Sequence, residues 1–491
     1  MPHPATDQPA TQPTPQPPTR PDGRPPLRGT PSPEQRKEEG RAARALLHRR
    51  GTASWEPAAD RRDPVAILQA QNASRVPELV PLRMGRMAAT PFSFYRGAAA
   101  VMAGDLGVGP RTGLTVQLCG DAHLANFGGF ASPERSLVFD INDFDETHRG
   151  PFEWDVQRLV ASLEIAGRHR GMSHHERERI VLGAGRAYRE TLRSFADLGH
   201  LDLWHVQLRG DEIVDRWRGS VPPAVMENLR KALRKARTKD RQKARRRLTV
   251  LHDDGELRFQ SNPPLLVPVR ELFDADEQAR LLGVVTTALA TYGESLTGAR
   301  RILLERYRLV DLARRVVGVG SVGTRCWVAL LVGRDNDDPL FLQVKEAEPS
   351  VLEPYTSASP YPENGRRVVE GQRLLQATSD ALLGWNTVHG ADDRRHDYYF
   401  RQLWDWKVSA DLETMLPVAM AAYAQMCAWV LARGHARSGD ALAISAYLGK
   451  GDVADRSFAE FAKRYADQNA LDHRALVDAI AAGDVEAVLG V

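Results

Sequence analysis

Apolar residues recur along this chain in two different periods. Between residues 151 and 205 the stripe Val156, Leu159, Val160 and Leu163 has the three-and-four spacing of a helix face, with Pro151 near the start of that helix. Residues 365–385 and 411–435 carry the same helical pattern, and from Arg41 onward the chain reads as helix. Residues 91–102 read as a loop entering a helix. Residues 114–118 alternate like a short strand, and residues 310–332 and 340–344 are β-rich stretches broken by glycines. The polar run at 335–339 is the turn between two of these strands, and 397–403 predicts another strand. No internal repeat is apparent.

Composition divides the chain further. Residues 1–40 hold many prolines and almost no large apolar side chains, which predicts a disordered tail. With 491 residues, two or three domains are expected. The expected division is a mainly helical part over 41–300, a small β-rich part over 301–410, and a helical segment over 411–491 that packs back on the first. The formal charge is only +3, so no global field argues for nucleic acid or a membrane surface. Residues 230–247 carry 11 Lys or Arg against one acid. That run reads as a solvated helix face or as a site for an anionic partner, and without aromatic residues it offers no base-stacking surface. No apolar run approaches 18 residues, and the N-terminus lacks the apolar core of a secretory signal. Cys119, Cys326 and Cys427 are too far apart for a metal motif, and they fit a reduced, cytoplasmic setting.

The candidate chemistry lies in two stretches. The first is C-G-D-A-H-L-A-N at 119–126, followed by the apolar run Leu137, Val138, Phe139 and the acidic cluster D-I-N-D-F-D-E at 140–146. The second is G-V-G-S-V-G at 318–323, set between two β-like stretches, with Lys345 twenty-two residues after Gly323 on a following strand. An Asp that orients a hydroxyl, an Asn and a second Asp that hold magnesium, a glycine loop whose N–H groups approach phosphates, and a lysine that neutralises them are the parts of a phosphoryl-transfer site. In that reading Asp121 and His123 are catalytic, and Asn126, Asp143 and Asp145 are metal ligands. Gly318, Gly320, Ser321, Gly323 and Lys345 bind the nucleotide. Glu370, 25 residues after Lys345 on a predicted helix, is its expected ion-pair partner.

The motif order D-x-x-x-x-N, strand, D-F resembles the catalytic and metal loops of protein kinases. The match to aminoglycoside-phosphotransferase-like kinases is similar: G-D-x-H-x-x-N, then Asp143-Phe144, Gly150-Pro151, and Asp155 twelve residues after Asp143. The chain departs from it at Cys119, where those kinases have His, and at Asp145, where they have a small residue. The glycine loop follows the catalytic loop here instead of preceding it. The resemblance therefore implies an α+β, kinase-like two-lobe architecture that is circularly permuted, with ATP and Mg2+ as nucleotide and metal and an unidentified acceptor. Over about residues 45–475 the chain also resembles an uncharacterised bacterial family, a domain of unknown function. The motifs that carry this are F-Y-R-G-A-A-A at 94–100, C-G-D-A-H-L-A-N-F-G at 119–128, N-D-F-D-E at 142–146, G-V-G-S-V-G-T-R at 318–325 and H-A-R-S-G-D at 435–440.

Two other readings stay open. Asp121, His123, Asp140, Asn142, Asp143, Asp145 and Glu146 form a dense ligand set that suits a binuclear metal phosphoesterase, although that leaves Lys345 and the glycine loop unexplained. A non-catalytic nucleotide-binding module keeps the site without turnover. Among the remaining polar residues, Asp155 and Arg158 lie one helical turn apart, and Asp155 reads as an acceptor that ties the catalytic loop. His123 is either a loop-orienting hydrogen bonder or a proton carrier. Arg96 binds an anion or stacks structurally, and His435, Arg437 and Asp440 line the cleft or cap a helix.

Overall fold

In this computed structural model, residues 31–216, 222–236, 241–316, 318–389, 394–403 and 406–490 are described. The first helix, α1 (Pro33–Ala42), starts at a capping box in which Ser32 and Gln35 each bond the other's backbone N–H. It begins inside the stretch expected to be a disordered tail. The cap, and the close fit of Gly40 against the backbone of Ala443, offset its shortage of apolar residues. Residues 1–30 of that expected tail lie outside the described residues. Helices α2 (Pro64–Asn72), α3 (Val80–Ala88), α4 (Pro91–Gly97) and α5 (Ala99–Gly107) follow. Residues 91–97 are thus helix from the start rather than a loop, because Thr90 accepts the Ser93 N–H at 2.9 Å and Pro91 stands in the first turn.

Strand β1 (Thr115–Leu118) leads into a hairpin of β2 (Phe127–Ala131) and β3 (Leu137–Ile141), then returns to pair antiparallel with β4 (His148–Pro151). Helix α6 (Phe152–His169) starts directly after Pro151. Its apolar stripe is buried as predicted, and so is the rest of its circumference, including Glu153, Asp155, Arg158 and Glu164. It is the central helix of a body completed by α7 (His174–Ala196), with α8 (His200–His205), α9 (Gly210–Arg216) and α10 (Pro223–Ala236) beyond.

From Arg241 the elements belong to a different layer. Helix α11 (Arg241–Leu248), the hairpin of β5 (Thr249–Leu251) and β6 (Leu257–Phe259), β7 (Leu266–Pro268), α12 (Ala275–Glu294) and α13 (Gly298–Leu304) all precede the expected β-rich part, yet most of them pack on its sheet. The expected boundary at residue 300 therefore falls inside this layer. Strands β8 (Arg308–Arg315), β9 (Cys326–Val332) and β10 (Pro339–Glu346) form a meander. Then come helix α14 (Asn364–Leu375), β11 (Gly384–His389) and β12 (Arg395–Gln402). The six-stranded sheet has the order β11-β12-β10-β9-β8-β7 and is antiparallel throughout. The helix predicted over 365–385 ends at Leu375, and residues 384–385 begin β11 instead.

The period of two in β10 decides what faces the rest of the molecule. Leu340, Leu342 and Val344 join the apolar cluster under α12, where Tyr292 stacks on Phe400 with ring centroids 4.1 Å apart. Phe341, Gln343 and Lys345 point the other way. Strand β13 (Val408–Ser409) pairs with β2, tying the chain that leaves the sheet to the helical body. Helices α15 (Pro417–Ser438), α16 (Ala441–Leu448) and α17 (Val453–Ala482) complete that body. The protein is thus a mixed α+β fold with antiparallel sheets.

The described part of the basic run docks within the chain. Arg241 pairs with Asp338 at 2.6 Å and Arg245 with Asp337 at 3.0 Å, so the acidic β9–β10 turn is a partner of that run. No helix among the described residues is long and apolar enough to cross a membrane.

Candidate functional site

The loop after β1 is fixed by buried groups of the helical body. The Asp155 carboxylate, in the first turn of α6, accepts the N–H of Cys119 at 2.8 Å and of Gly120 at 3.0 Å. His435 of α15 holds the same carboxylate at 3.2 Å through Nε2, and its Nδ1 bonds the Tyr188 hydroxyl at 2.7 Å. Gly120 has φ +84°, and a Cβ there would collide with the Glu146 carbonyl, so only glycine allows the loop after β1 and the acidic loop to approach this closely. Asp155 is the loop-tying acceptor that the sequence suggests. His435 is buried in the body behind that loop. Asp440 caps α16, and Arg437 donates to the Gln376 carbonyl at 2.6 Å.

Asp121 stands at the tip of this loop with its carboxylate partly exposed. One oxygen accepts from Arg158 Nε at 2.8 Å, and the other lies 3.5 Å from His123 Nε2. His123 Nδ1 accepts the Ala125 N–H at 3.2 Å, capping the short turn Leu124–Asn126. Burial pushes the His123 imidazole down to about 3, so it is neutral near pH 7 and orients the loop. Asn126 donates its amide N–H to the Asp121 carbonyl at 2.7 Å, and its backbone carbonyl accepts the Asn142 N–H at 2.8 Å. The loop after β1 and the acidic loop are therefore joined at Asn126.

Lys345 reaches the same place from the sheet. Its ammonium bonds the Asp145 carboxylate and lies 3.8 Å from Asp143. Asp145 also accepts from the Tyr399 hydroxyl at 2.7 Å and from Ser321 of the glycine loop at 3.2 Å. Burial works against the lysine's charge, yet Asp143 and Asp145 hold it well above its ordinary value. Burial pushes both acids up as well. At Asp145 the adjacent Lys345 outweighs it and the carboxyl is lowered, whereas Asp143, repelled by Asp145, is raised.

Glu370 is not the lysine's partner. Its carboxylate accepts from Arg373 of the same helix at 3.1 Å, and Asp145 takes the place expected for it. Helix α14 contributes Arg367 instead, which is buried and donates to the backbone carbonyls of Asp145 and Glu348, each at 2.8 Å, and of Thr147. Arg401 of β12 adds a further tie, donating to Gln343 Oε1 at 2.8 Å and to the Asn142 carbonyl at 2.9 Å.

The glycine loop meets the turn after α2. Gly323, with φ +89°, accepts the Val76 N–H at 2.8 Å, and Arg75 donates to the Val322 carbonyl. Asp121, His123, Asn126, Asp143, Asp145, Gly318, Gly320 and Ser321 all line one cavity of about 440 Å3, with Lys345 bonded beneath Asp145. A second cavity of about 200 Å3 lies on the other side of Asn142, lined by Gln343, Arg401, Leu403 and Lys407. Among the described residues, no group of three or more His, Cys, Asp or Glu is arranged to hold a metal ion. The cysteines are buried and unpaired.

Sequence reasoning missed Arg75, Arg83, Arg367, Tyr399 and Arg401. For Tyr399 a signal existed: it lies on the predicted strand at 397–403, and in the β10–β12 register it stands directly opposite Lys345. Arg83, Arg367 and Arg401 lie on helices and a strand, and Arg75 in a turn, whose local pattern is indistinguishable from any half-buried surface.

Fold and site together define a mixed α+β protein with a cleft lined by carboxylates, a glycine loop and the guanidinium groups of Arg75, Arg83 and Arg96. Residues 75–479 match the family described as "Uncharacterized protein conserved in bacteria (DUF2252)", and the chain belongs to that family. No curated protein and no solved structure matches it.

Proposed function

We propose that this protein is an ATP- and magnesium-dependent phosphotransferase with a circularly permuted, kinase-like arrangement. The observation that carries the reading is convergence. Asp121, Asn126, Asp143 and residues 318–321 come from segments about 200 residues apart, yet they line one cavity, and the Lys345 ammonium lies 3.8 Å from Asp143 at its edge. In this reading Asp121 orients and accepts the proton of the acceptor hydroxyl. Lys345 and the N–H groups of the glycine loop take the nucleotide phosphates. Asn126 and Asp143 would hold magnesium; an amide oxygen and a carboxylate are the hard donors it prefers, and two protein ligands suffice when phosphates supply others. Magnesium, when bound, neutralises the charge that develops on the transferred group. Asp145 serves as counter-ion of Lys345.

A contact between α15 and β1 supports the permutation. The Gln117 N–H donates to Ser438 Oγ at 3.1 Å, and a Cβ on Gly439 would lie 3.0 Å from the Thr115 carbonyl oxygen. The end of α15 therefore touches the start of β1. Joining them restores the order glycine loop, lysine strand, helix, two strands, linker, long helix, catalytic loop, metal loop. The segments left out, α16, α17 and α1–α5, pack on one another: Arg36 pairs with Asp440 at 2.5 Å, and Arg44 donates to the Tyr447 carbonyl at 3.0 Å.

One observation favours a second reading, a non-catalytic nucleotide-binding module: Lys345 is already engaged by Asp145. A binuclear phosphoesterase is less well supported, since it needs a cage of protein ligands. The test is calorimetric binding of Mg-ATP, followed by incubation of the full chain with ATP labelled at the γ- or α-phosphate and a panel of acceptors. γ-label transfer supports phosphotransfer, and α-label transfer points to nucleotidyl transfer. Binding without transfer supports the module. No binding, with manganese-dependent phosphatase activity, would leave the hydrolase.

A further inference from the structure

The 440 Å3 cavity is also lined by three guanidinium groups from the segment before β1: Arg75 in the turn after α2, Arg83 of α3 and Arg96 of α4. Arg83 is fully buried, and its hydrogen bonds go only to neutral acceptors: Asn72 Oδ1 at 2.6 Å, Gln71 Oε1 at 3.1 Å, and the carbonyls of Gly97 at 3.3 Å and Leu68 at 3.4 Å. Arg75 donates to a glycine-loop carbonyl. Arg96 has no side-chain hydrogen bond to any described residue, and the Nε of all three is buried without a partner. None of the three forms an ion pair with a described carboxylate. The acid nearest in role, Asp121, is already held by Arg158.

A guanidinium stays charged under all ordinary conditions, so it cannot relieve burial by losing its proton. Asp121, Asp143, Asp145, Glu146, Glu346 and Glu348 line the same cavity, but none of them pairs directly with the three guanidinium groups, which leaves N–H groups open to an anion. Planar guanidinium forks match phosphate and carboxylate oxygens. Arg75 and Arg96 lie against the glycine loop, and Arg96 lines the cavity together with Asp121, the residue to which an acceptor hydroxyl would be presented. Resting on the phosphotransferase reading, we propose that Arg75, Arg83 and Arg96 form an oxyanion subsite for the acceptor. The acceptor is then a small molecule that carries its own phosphate or carboxylate beside the hydroxyl presented to Asp121.

The same chemistry is also offered by the nucleotide's terminal phosphate, and the experiment separates the two. Inorganic phosphate is titrated into the full-length protein, alone and saturated with Mg2+ and a non-hydrolysable ATP analogue, and the melting temperature is followed. Arg96 loses no side-chain bond on substitution, so Arg96→Met should fold, and its far-UV circular dichroism checks this. The expected result is stabilisation by phosphate on top of the saturating analogue, shifted to about tenfold higher phosphate in Arg96→Met and partly restored in Arg96→Lys. Stabilisation by phosphate that disappears once the analogue is bound would assign the arginines to the nucleotide and overturn the acceptor subsite, leaving the phosphotransferase reading intact. Phosphate binding that depends on Arg96 while the analogue has no effect would show an anion site but overturn both the reading and the acceptor assignment. No effect of phosphate in either state overturns the subsite.

Discussion

The two halves of the cleft are held in place by different forces. The loop after β1 that carries Asp121 is fixed by neutral backbone donors bonded to a buried carboxylate, Asp155, which His435 and Tyr188 fix in turn. None of these contacts involves a group that a ligand would need. The lysine side is held by charges that a ligand must share: Lys345 on Asp145, and Ser321 of the glycine loop on the same carboxylate. The first arrangement is pre-organised, so little rearrangement is required when substrate binds. In the proposed reading, phosphates binding at the second would exchange one set of charge contacts for another.

The largest expected effect breaks the pre-organised half at its tip. Asp121→Ala should lower γ-phosphoryl transfer by about a thousandfold or more while leaving Mg-nucleotide affinity within a few-fold, because a base acts mainly in the transition state. Asp143→Ala, on the charge-held half, should weaken binding as well. Calorimetry beside label transfer reads both. Equal losses of affinity in the two variants would remove the distinction between the halves.

Next in size is the anchor. Asp155→Ala leaves the N–H groups of Cys119 and Gly120 and the buried His435 without their shared acceptor, and should cost about 3–5 kcal/mol in urea unfolding. A loss of under about 1 kcal/mol would mean that the loop is not held from behind. This anchor is the part of the site most legible in the sequence. Asp155 stands at a fixed distance from Asp143, and the glycine before Asp121 marks a backbone that must pass close to another. The strands β8 to β10 and their acidic turn were legible for a similar reason, since alternation and turn chemistry are local. Arg367 and the cavity arginines were not, because each depends on a contact between segments distant in sequence. The basic run and the acidic turn show the same limit. Each pattern is plain alone, but nothing local says that Arg241 meets Asp338.

A smaller effect is expected from Glu153, which shares the first turn of α6 with Asp155. It accepts the Thr112 N–H and contacts the Thr112 hydroxyl, both at 2.8 Å, and burial pushes its carboxyl up to about 7. The folded state therefore holds this proton more tightly than the unfolded chain. The stability it confers is fully present below about pH 4.5 and is lost as pH rises through about 7, a change of up to about 3 kcal/mol. Glu153→Gln, which cannot ionise, should flatten that part of the pH profile. The stability difference between variant and parent, measured by urea unfolding from pH 4.5 to 8, should move in the variant's favour as pH rises. A difference independent of pH would show that Glu153 ionises in the fold as readily as outside it.

The smallest effect sharpens the charge-held half. In the kinase pattern the helix after the lysine supplies a glutamate to it, and Glu370 is placed in sequence to do so. Here the carboxylate is half-exposed and bonded to Arg373 on its own helix, an i,i+3 surface pair. Such pairs contribute a few tenths of a kcal/mol. Glu370→Gln should therefore change stability by less than about 0.5 kcal/mol and leave Mg-nucleotide affinity unchanged. Arg367→Met, three residues earlier, removes three bonds to carbonyls of the Asp145 and Glu348 segments and should weaken both. The pair of variants asks which residue of α14 couples the helix to the acidic loop. If Glu370→Gln lowers nucleotide affinity about tenfold while Arg367→Met does not, the helix rotates on binding and Glu370 takes Lys345 from Asp145 after all. If the order is as predicted, Asp145 is the lysine's permanent counter-ion, and α14 positions the acidic loop through its backbone instead of through charge.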